Sequence, residues 1–429
     1  MNGLKTNNAP HSSVVVPHFI FGAISLFVLA VLIILAGENI LGVYFNSKLL
    51  AITHLAVLGW AIMIVFGALY QLIPIVFETK LYSERLAKFT FWSSVVSILL
   101  LTYSFWEGSF SNLLVYAALL MFFSLLLFAF NVLFSYKNSA LKNNSSRFII
   151  TAVFWLLITG LLGVLIALNF KFNFFSEIHL HYLKIHATIG LVGWFLLLII
   201  GVGSTLLPMF LISHKLNHKK LSVSYYLINS GLIGLIFNWF LLQLAIVTLV
   251  SWILIIAGIF FFLSFIYDSY KKRIRKKLDV GMQYSMLAIV SIVMPIVISL
   301  IVLRGFNFEF ELLSRITTFY GFSIIFGFIT TLILGQTYKT LPFIIWLEKY
   351  KNLVGKTKTP LPRELYSEKV ATIQFYIYLL FILVIPIGLL LNNFFIVKIG
   401  SYALLVVSIL YNLNILKIIF HKVKNIENE

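Results

Sequence analysis

An all-α membrane protein of twelve transmembrane helices in three pseudo-symmetric sets of four is the fold this sequence predicts, and three observations predict it. The first is composition: hydrophobic residues make up 61% and charged residues 11%, with a mean hydropathy of +1.02. A soluble chain has an apolar share nearer half and a charged share nearer a quarter, so this one belongs in lipid. The second is that the apolar residues gather into separate runs, each able to cross about 30 Å of hydrocarbon. The third is a motif that occurs three times. Gly59-Trp60, Gly67 and Pro74 return as Gly193-Trp194, Gly201 and Pro208, and again as Gly327-Phe328, Gly335 and Pro342. The copies begin at 59, 193 and 327, a period too long for a solenoid unit and right for four membrane helices with their loops. The whole chain, 1–429, is therefore one membrane domain with internal repeats near 16–136, 148–267 and 281–416.

In chain order the runs lie near 16–36, 49–77, 88–106, 112–136, 148–169, 182–212, 221–242, 244–267, 281–303, 314–346, 370–391 and 394–416. They are continuously apolar and do not alternate, which excludes a barrel, the other structure that satisfies its backbone in lipid. The first run follows a polar segment with no small-residue cleavage site and is read as a retained helix. Cysteine is absent, so disulfides, thiolate metal sites and cysteine nucleophiles are excluded.

The net charge of +18 would point to nucleic acid in a soluble protein, but here topology explains it. Lys and Arg alternate strongly from loop to loop. One side holds Lys5, Lys80, Arg85, Lys88, Lys137, Lys142, Arg147, Lys215, Lys219, Lys220, the run Lys271 to Lys277, the segment Lys349 to Lys369, and the C-terminal lysines. The other holds only Lys48, Lys171, Lys184, Arg304, Arg315 and Lys398. The positive-inside rule then places both termini in the cytoplasm, in a bacterial inner membrane, with lipid as the partner and no nucleic acid. It also puts Trp60, Trp194 and Phe328 in the outer half and the three prolines near the inner boundary, where each ends or kinks its helix.

The acids all fall in loops or at helix ends, which weakens a proton pump or an ion-coupled carrier. Lys339, one turn before Pro342, is expected to snorkel to the near interface. Histidine remains as the chemically interesting residue type. His54 lies in the second run, and His179, His181 and His186 lead into the sixth. An imidazole in lipid needs a partner: a metal, a haem iron, a backbone carbonyl or another histidine.

From His54 to Pro74 the pattern His-x-x-x-x-Gly-Trp-x6-Gly-x-x-Tyr-x-x-x-Pro resembles the histidine-bearing helices of the heme-copper oxidase catalytic subunit I superfamily, the cbb3 type in particular. That resemblance implies twelve helices in three sets of four and haem or copper held in the outer half. The family's tenth helix carries histidines eight and six residues before the tryptophan. Here His54 keeps the minus-six position in the second helix and His186 the minus-eight position in the sixth, while Tyr320 and Phe322 occupy both positions in the tenth. The seventh helix, source of copper ligands in the family, has no histidine. The chain is thus identified as a divergent member lacking most metal-ligand histidines, without a complete oxygen-reducing centre. What the resemblance implies is haem b at His54, with Tyr320 as a second cofactor-binding candidate, or copper at His186 with His181 and His179. Positions minus eight and minus six differ by about 200° on a helix, so His54 and His186 face opposite sides of their repeats. The implied role is respiratory or nitric-oxide-related redox chemistry beside respiratory-chain subunits; a metal-free channel or carrier for a small solute and a structural subunit of a respiratory complex stand as alternatives.

Overall fold

The computed structural model describes residues 8–139, 142–303 and 308–423, the side chain of residue 303 excepted. Lys5, Arg304 and the chain beyond residue 423 lie outside the described residues. Among the described residues, twelve helices are long and apolar enough to cross a membrane. They are α1 (Ser12–Leu41), α2 (Ser47–Val76), α3 (Glu84–Trp106), α4 (Asn112–Lys137), α5 (Asn144–Phe172) and α6 (His179–Leu211). The second half contributes α7 (Lys219–Leu242), α8 (Ala245–Lys271), α9 (Val280–Val302), α10 (Phe310–Leu353), α11 (Glu368–Leu390) and α12 (Phe394–Ile419). Each covers all but at most one residue of one apolar run read from the sequence, because in hydrocarbon a continuously apolar run of that length satisfies its backbone by coiling into a helix. Side-chain caps start several of them: Asn46 accepts from Leu49 N, Asn143 from Ser146 N, Asp279 from Met282 N and Asn393 from Ile396 N.

The chain divides into two compact units. One comprises 72–97 and 110–277 with the two described residues before Pro10; the other comprises 10–71, 98–109 and 278 onward. The borders do not follow the sequence repeats, since the helices of the first repeat are divided between the units. Within the first unit, α7 and α8 approach closely enough that a methyl group on Gly231 would meet Ser251 O at 2.5 Å, and one on Gly258 would meet Ile228 Cγ1 at 2.5 Å. In the second, α11 and α12 pack through Gly388 on Val397 and Gly400 on Ile385, and Asn412 Nδ2 donates to Ala23 O of α1 at 2.8 Å. Small residues at such crossings are how lipid-soluble helices gain contact, since lipid supplies no hydrophobic drive between them.

The three copies of the motif share a backbone feature. Leu55–Ile62, Ile189–Leu196 and Ser323–Thr330 are each eight-residue π-helical segments, with the Gly-aromatic pair at their fifth and sixth positions. Their glycines also meet equivalent places on the preceding helix. A methyl group on Gly67, Gly201 or Gly335 would strike His18, Phe148 or Tyr284 respectively at Cβ, at 2.8, 2.8 and 2.6 Å. Eight residues earlier, about two turns, Gly59, Gly193 and Gly327 face Ser25, Trp155 and Ser291.

The prolines, expected to end or kink their helices, differ among the three copies: α2 stops at Val76 and α6 at Leu211, just past Pro74 and Pro208. Pro74, Pro208 and Pro342 all lie inside helical segments, and α10 continues beyond Pro342 to Tyr350 and a final 3-10 turn. That extension is held by its packing: Ile344, Ile345 and Tyr350 are buried, and Trp346 Nε1 donates to Pro360 O at 2.6 Å.

Beyond α12 the chain is clamped to this extension. Lys349 Nζ donates to His421 O and to Ile419 O, and Tyr350 OH lies 2.7 Å from His421 Nε2. Partial burial and the neighbouring Lys349 and Lys417 charges lower the His421 pKa below its ordinary 6.5. The folded state therefore favours the neutral ring. Its stabilising contribution is full above 6.5 and is lost as pH falls through the lowered value, where the unfolded segment binds the proton first. Tryptic cleavage after Lys417 and Lys422 is expected to accelerate between pH 7.5 and pH 5.5 when corrected for the trypsin rate on an unfolded peptide, and His421→Gln is expected to flatten that dependence.

Candidate functional site

His54 is the last residue before the first π-helical segment. Its Nδ1 lies 2.8 Å from Leu50 O, four residues back on the same helix. A carbonyl oxygen only accepts, so Nδ1 carries the proton and Nε2 of the neutral ring carries the lone pair. The ring is half-buried and stacks on Phe105, with centroids 4.4 Å apart and planes 24° apart. Ring plane and tautomer are thus both set by the chain itself.

His186 shows the same tautomer through a different partner: Nδ1 donates to Thr159 O of α5 at 3.1 Å. Gly163 lets α5 pass this ring, since a methyl group there would meet His186 Cε1 at 3.1 Å. His181 Nε2 donates instead to Trp239 O at 3.0 Å, and His179 Nε2 lies 2.9 Å from Asn169 Nδ2 with its ring stacked on Phe170. The three imidazoles expected to share copper are therefore oriented toward three different neighbours. Among the described residues no group of three or more His, Asp or Glu is placed to hold a metal ion. Helical geometry gives the reason: residues 181 and 186 are about 140° apart around α6, and 179 and 186 are separated by about two turns. Tyr320, the other cofactor-binding candidate, is half-buried in α10, two turns before Phe328.

A second cluster was not anticipated from the sequence. Within the unit containing α9 to α12, Tyr338 OH donates to Gln374 Oε1, Gln374 Nε2 donates to Tyr284 OH at 3.3 Å, and Asn414 Nδ2 donates to Tyr338 OH at 3.3 Å. Beside this chain, Tyr411 OH donates to Thr337 Oγ1 at 3.1 Å, and Tyr378 OH donates to Phe326 O in the π-helical segment of α10. Trp60 Nε1 reaches Thr330 Oγ1 at 3.1 Å and its ring meets Tyr411 edge-on at 5.3 Å. All these side chains are buried, and each has a hydrogen-bond partner. A signal for them does exist in the sequence: Gln374 and Tyr378 at i, i+4 and Tyr411 and Asn414 at i, i+3 place polar atoms on one face of an apolar helix.

The stem of Lys339, expected to reach toward the near interface, carries its ammonium to the start of α9, where it pairs with Asp279, the N-cap of that helix, with side chains only 10% and 18% exposed. Gly281 makes room, for the Lys339 stem runs past it within 3.3 Å of where a methyl group would stand.

No family model matches this chain, and comparison with curated proteins finds no match.

Proposed function

We propose that the chain is a membrane-embedded redox protein resembling the heme-copper oxidase catalytic subunits, which holds haem b through His54 and has no oxygen-reducing centre of its own. The observation that carries this reading is the Nδ1 hydrogen bond of His54 to Leu50 O, which leaves Nε2 as the donor nitrogen in a ring braced by Phe105. Haem ligation uses a neutral imidazole whose second nitrogen is committed to a carbonyl or carboxylate, and His54 fits that requirement. His179, His181 and His186 do not fit a shared copper, because each serves a different neighbour. Bound haem would supply one-electron exchange at an iron with one protein ligand. The chain's own contribution is to orient that ligand, through Leu50 O of its own helix and the Phe105 ring of α3.

Titrating haemin into the detergent-purified chain and following the Soret band tests the reading. Wild type and His186→Ala are expected to bind one equivalent with a red-shifted band; His54→Ala is expected to lose it and to recover it in millimolar imidazole. A wild-type spectrum equal to that of haemin in detergent alone would sink the proposal. The second reading, a metal-free structural subunit, is favoured by the buried Tyr284–Gln374–Tyr338–Asn414 chain, whose groups are engaged with one another. It predicts no haemin binding and unaltered stability in His54→Ala.

The outer-half placement of His54 depends on orientation, which one labelling experiment decides. Ser176 is exposed in the turn before α6, on a chain without cysteine. Ser176→Cys is expected to react with an impermeant maleimide in intact cells with a permeabilised outer membrane. Reaction only after lysis would reverse the orientation.

A further inference from the structure

The loops after α6 and α8 carry the densest charge in the molecule, and the structure joins them into one surface. Helix α6 stops at Ile212, which takes a left-handed conformation with φ of 54°. A β-branched residue seldom adopts that conformation, and it persists only where the surroundings impose it. The imposition is visible. Ser213 and Arg273 form an isolated antiparallel bridge, flanked by Ile274 N donating to Ile212 O and Arg275 N donating to Leu211 O, both at 3.4 Å. Ser213 Oγ donates to Ser269 O at 2.7 Å, and Lys272 Nζ donates to Lys215 O at 2.8 Å.

The two bridged segments, 211–220 and 268–277, carry Lys215, Lys219, Lys220, Lys271, Lys272, Arg273, Arg275, Lys276 and Lys277 against one carboxylate, Asp268. That carboxylate is already engaged with Lys220 at 2.6 Å. Arg273 spreads its guanidinium over the Tyr270 ring at 3.7 Å with Nη1 on Tyr270 O, and its Nε is buried without an acceptor. These same segments carry two exposed aliphatic side chains, Ile212 at 45% and Ile274 at 62% exposure, joined through their backbones. The surface begins where two membrane-length helices end, at Leu211 and Lys271.

We propose that these joined loops form a binding site for the headgroup phosphate of anionic phospholipid. Topology alone requires only that positive charge lie somewhere on this side of the membrane. It does not require a strained isoleucine turned outward, nor two loops bonded into one surface. A phosphodiester anion answers the cations, and the acyl boundary below it receives Ile212 and Ile274, the pairing by which interfacial segments hold anionic lipid. Free phosphate has no use for the isoleucines, and this makes lipid the occupant. The site is independent of any haem at His54.

The test uses the full chain reconstituted in phosphatidylcholine bilayers containing spin-labelled phosphatidylglycerol or spin-labelled phosphatidylcholine, with the motionally restricted fraction as readout. Wild type is expected to restrict phosphatidylglycerol preferentially. Lys271→Gln/Lys272→Gln/Arg275→Gln is expected to lower that preference at least about threefold, and the exposed pair Lys276→Gln/Lys277→Gln lowers it in the same direction should the triple variant fail to fold. Ile212→Gly/Ile274→Ser is expected to lower it with no change in charge. The equally basic variant Lys356→Gln/Lys358→Gln/Lys369→Gln, in a different loop, is expected to leave it intact, and millimolar inorganic phosphate is expected not to compete. Equal loss in that control means diffuse electrostatics and overturns the site; so does an unchanged preference in the loop variants. Abolition by inorganic phosphate makes it a phosphate site and overturns the lipid.

Discussion

Asp279→Ala is expected to lower the stability of the detergent-solubilised protein by about 3–5 kcal/mol, the range found when one member of a buried ion pair is removed. The Lys339 side chain is only 10% exposed and its stem runs past Gly281 of α9, so bulk water is a poor replacement for the lost carboxylate. Asp279 also caps α9 through Met282 N at 3.1 Å, a contact worth about 1 kcal/mol more. The two contributions separate by substitution. Asp279→Asn keeps an oxygen for the cap and removes the charge; Lys339→Met in that background removes the stranded ammonium and is expected to recover most of the loss. Unfolding in sodium dodecyl sulfate titrations, followed by far-UV circular dichroism, reads all three. Additive losses in the double variant would show that the pair contributes nothing as a pair.

This ion pair marks the border of what the chain reveals before it folds. Twelve helices were legible because each apolar run must coil in lipid, whatever its neighbours do. The recurrence of Gly-aromatic at one period marked where the helices widen into π-helical segments, although the spacing alone carries no statement of which carbonyl each N–H selects. Lys339 read alone is a snorkelling side chain. Its partner lies 60 residues earlier, at the start of a different helix, and no local pattern pairs the two.

The histidines divide in the same way. His54 bonds to the carbonyl four residues back, an arrangement available to any helical histidine and therefore foreseeable. His186 and His181 bond to Thr159 and Trp239, which lie on other helices and are chosen by packing. Clustering three imidazoles from sequence proximity overlooked helical phase, which separates 181 from 186 around α6. The tyrosine and amide chain of α9 to α12 was missed for the opposite reason: its members are scattered one or two per helix and meet only in three dimensions.

Gly335→Ala is expected to be the most destabilising single methyl group added anywhere in the three repeated motifs, costing about 1–3 kcal/mol or more. Its Cβ would stand 2.5 Å from Gly281 O, 2.6 Å from Tyr284 Cβ and 3.1 Å from Ser285 N. Two of those three atoms are backbone, so relief requires α9 and α10 to separate, which pulls on the Tyr284–Gln374 hydrogen bond and on the Lys339–Asp279 pair beside it. At Gly67 and Gly201 the nearest atoms are the side-chain Cβ of His18 and Phe148 at 2.8 Å, with a carbonyl oxygen at 3.1 Å in each case, and a smaller shift suffices. The same change at Gly321, in α10 with nothing within 4 Å, is expected to leave stability unchanged or slightly raised, because alanine is the better helix former. The order Gly335, then Gly201 and Gly67, then Gly321 follows from these distances alone. Measured as midpoints of denaturant unfolding in one detergent, a loss at Gly321 equal to that at Gly335 would mean that helix crossings are not what these glycines serve.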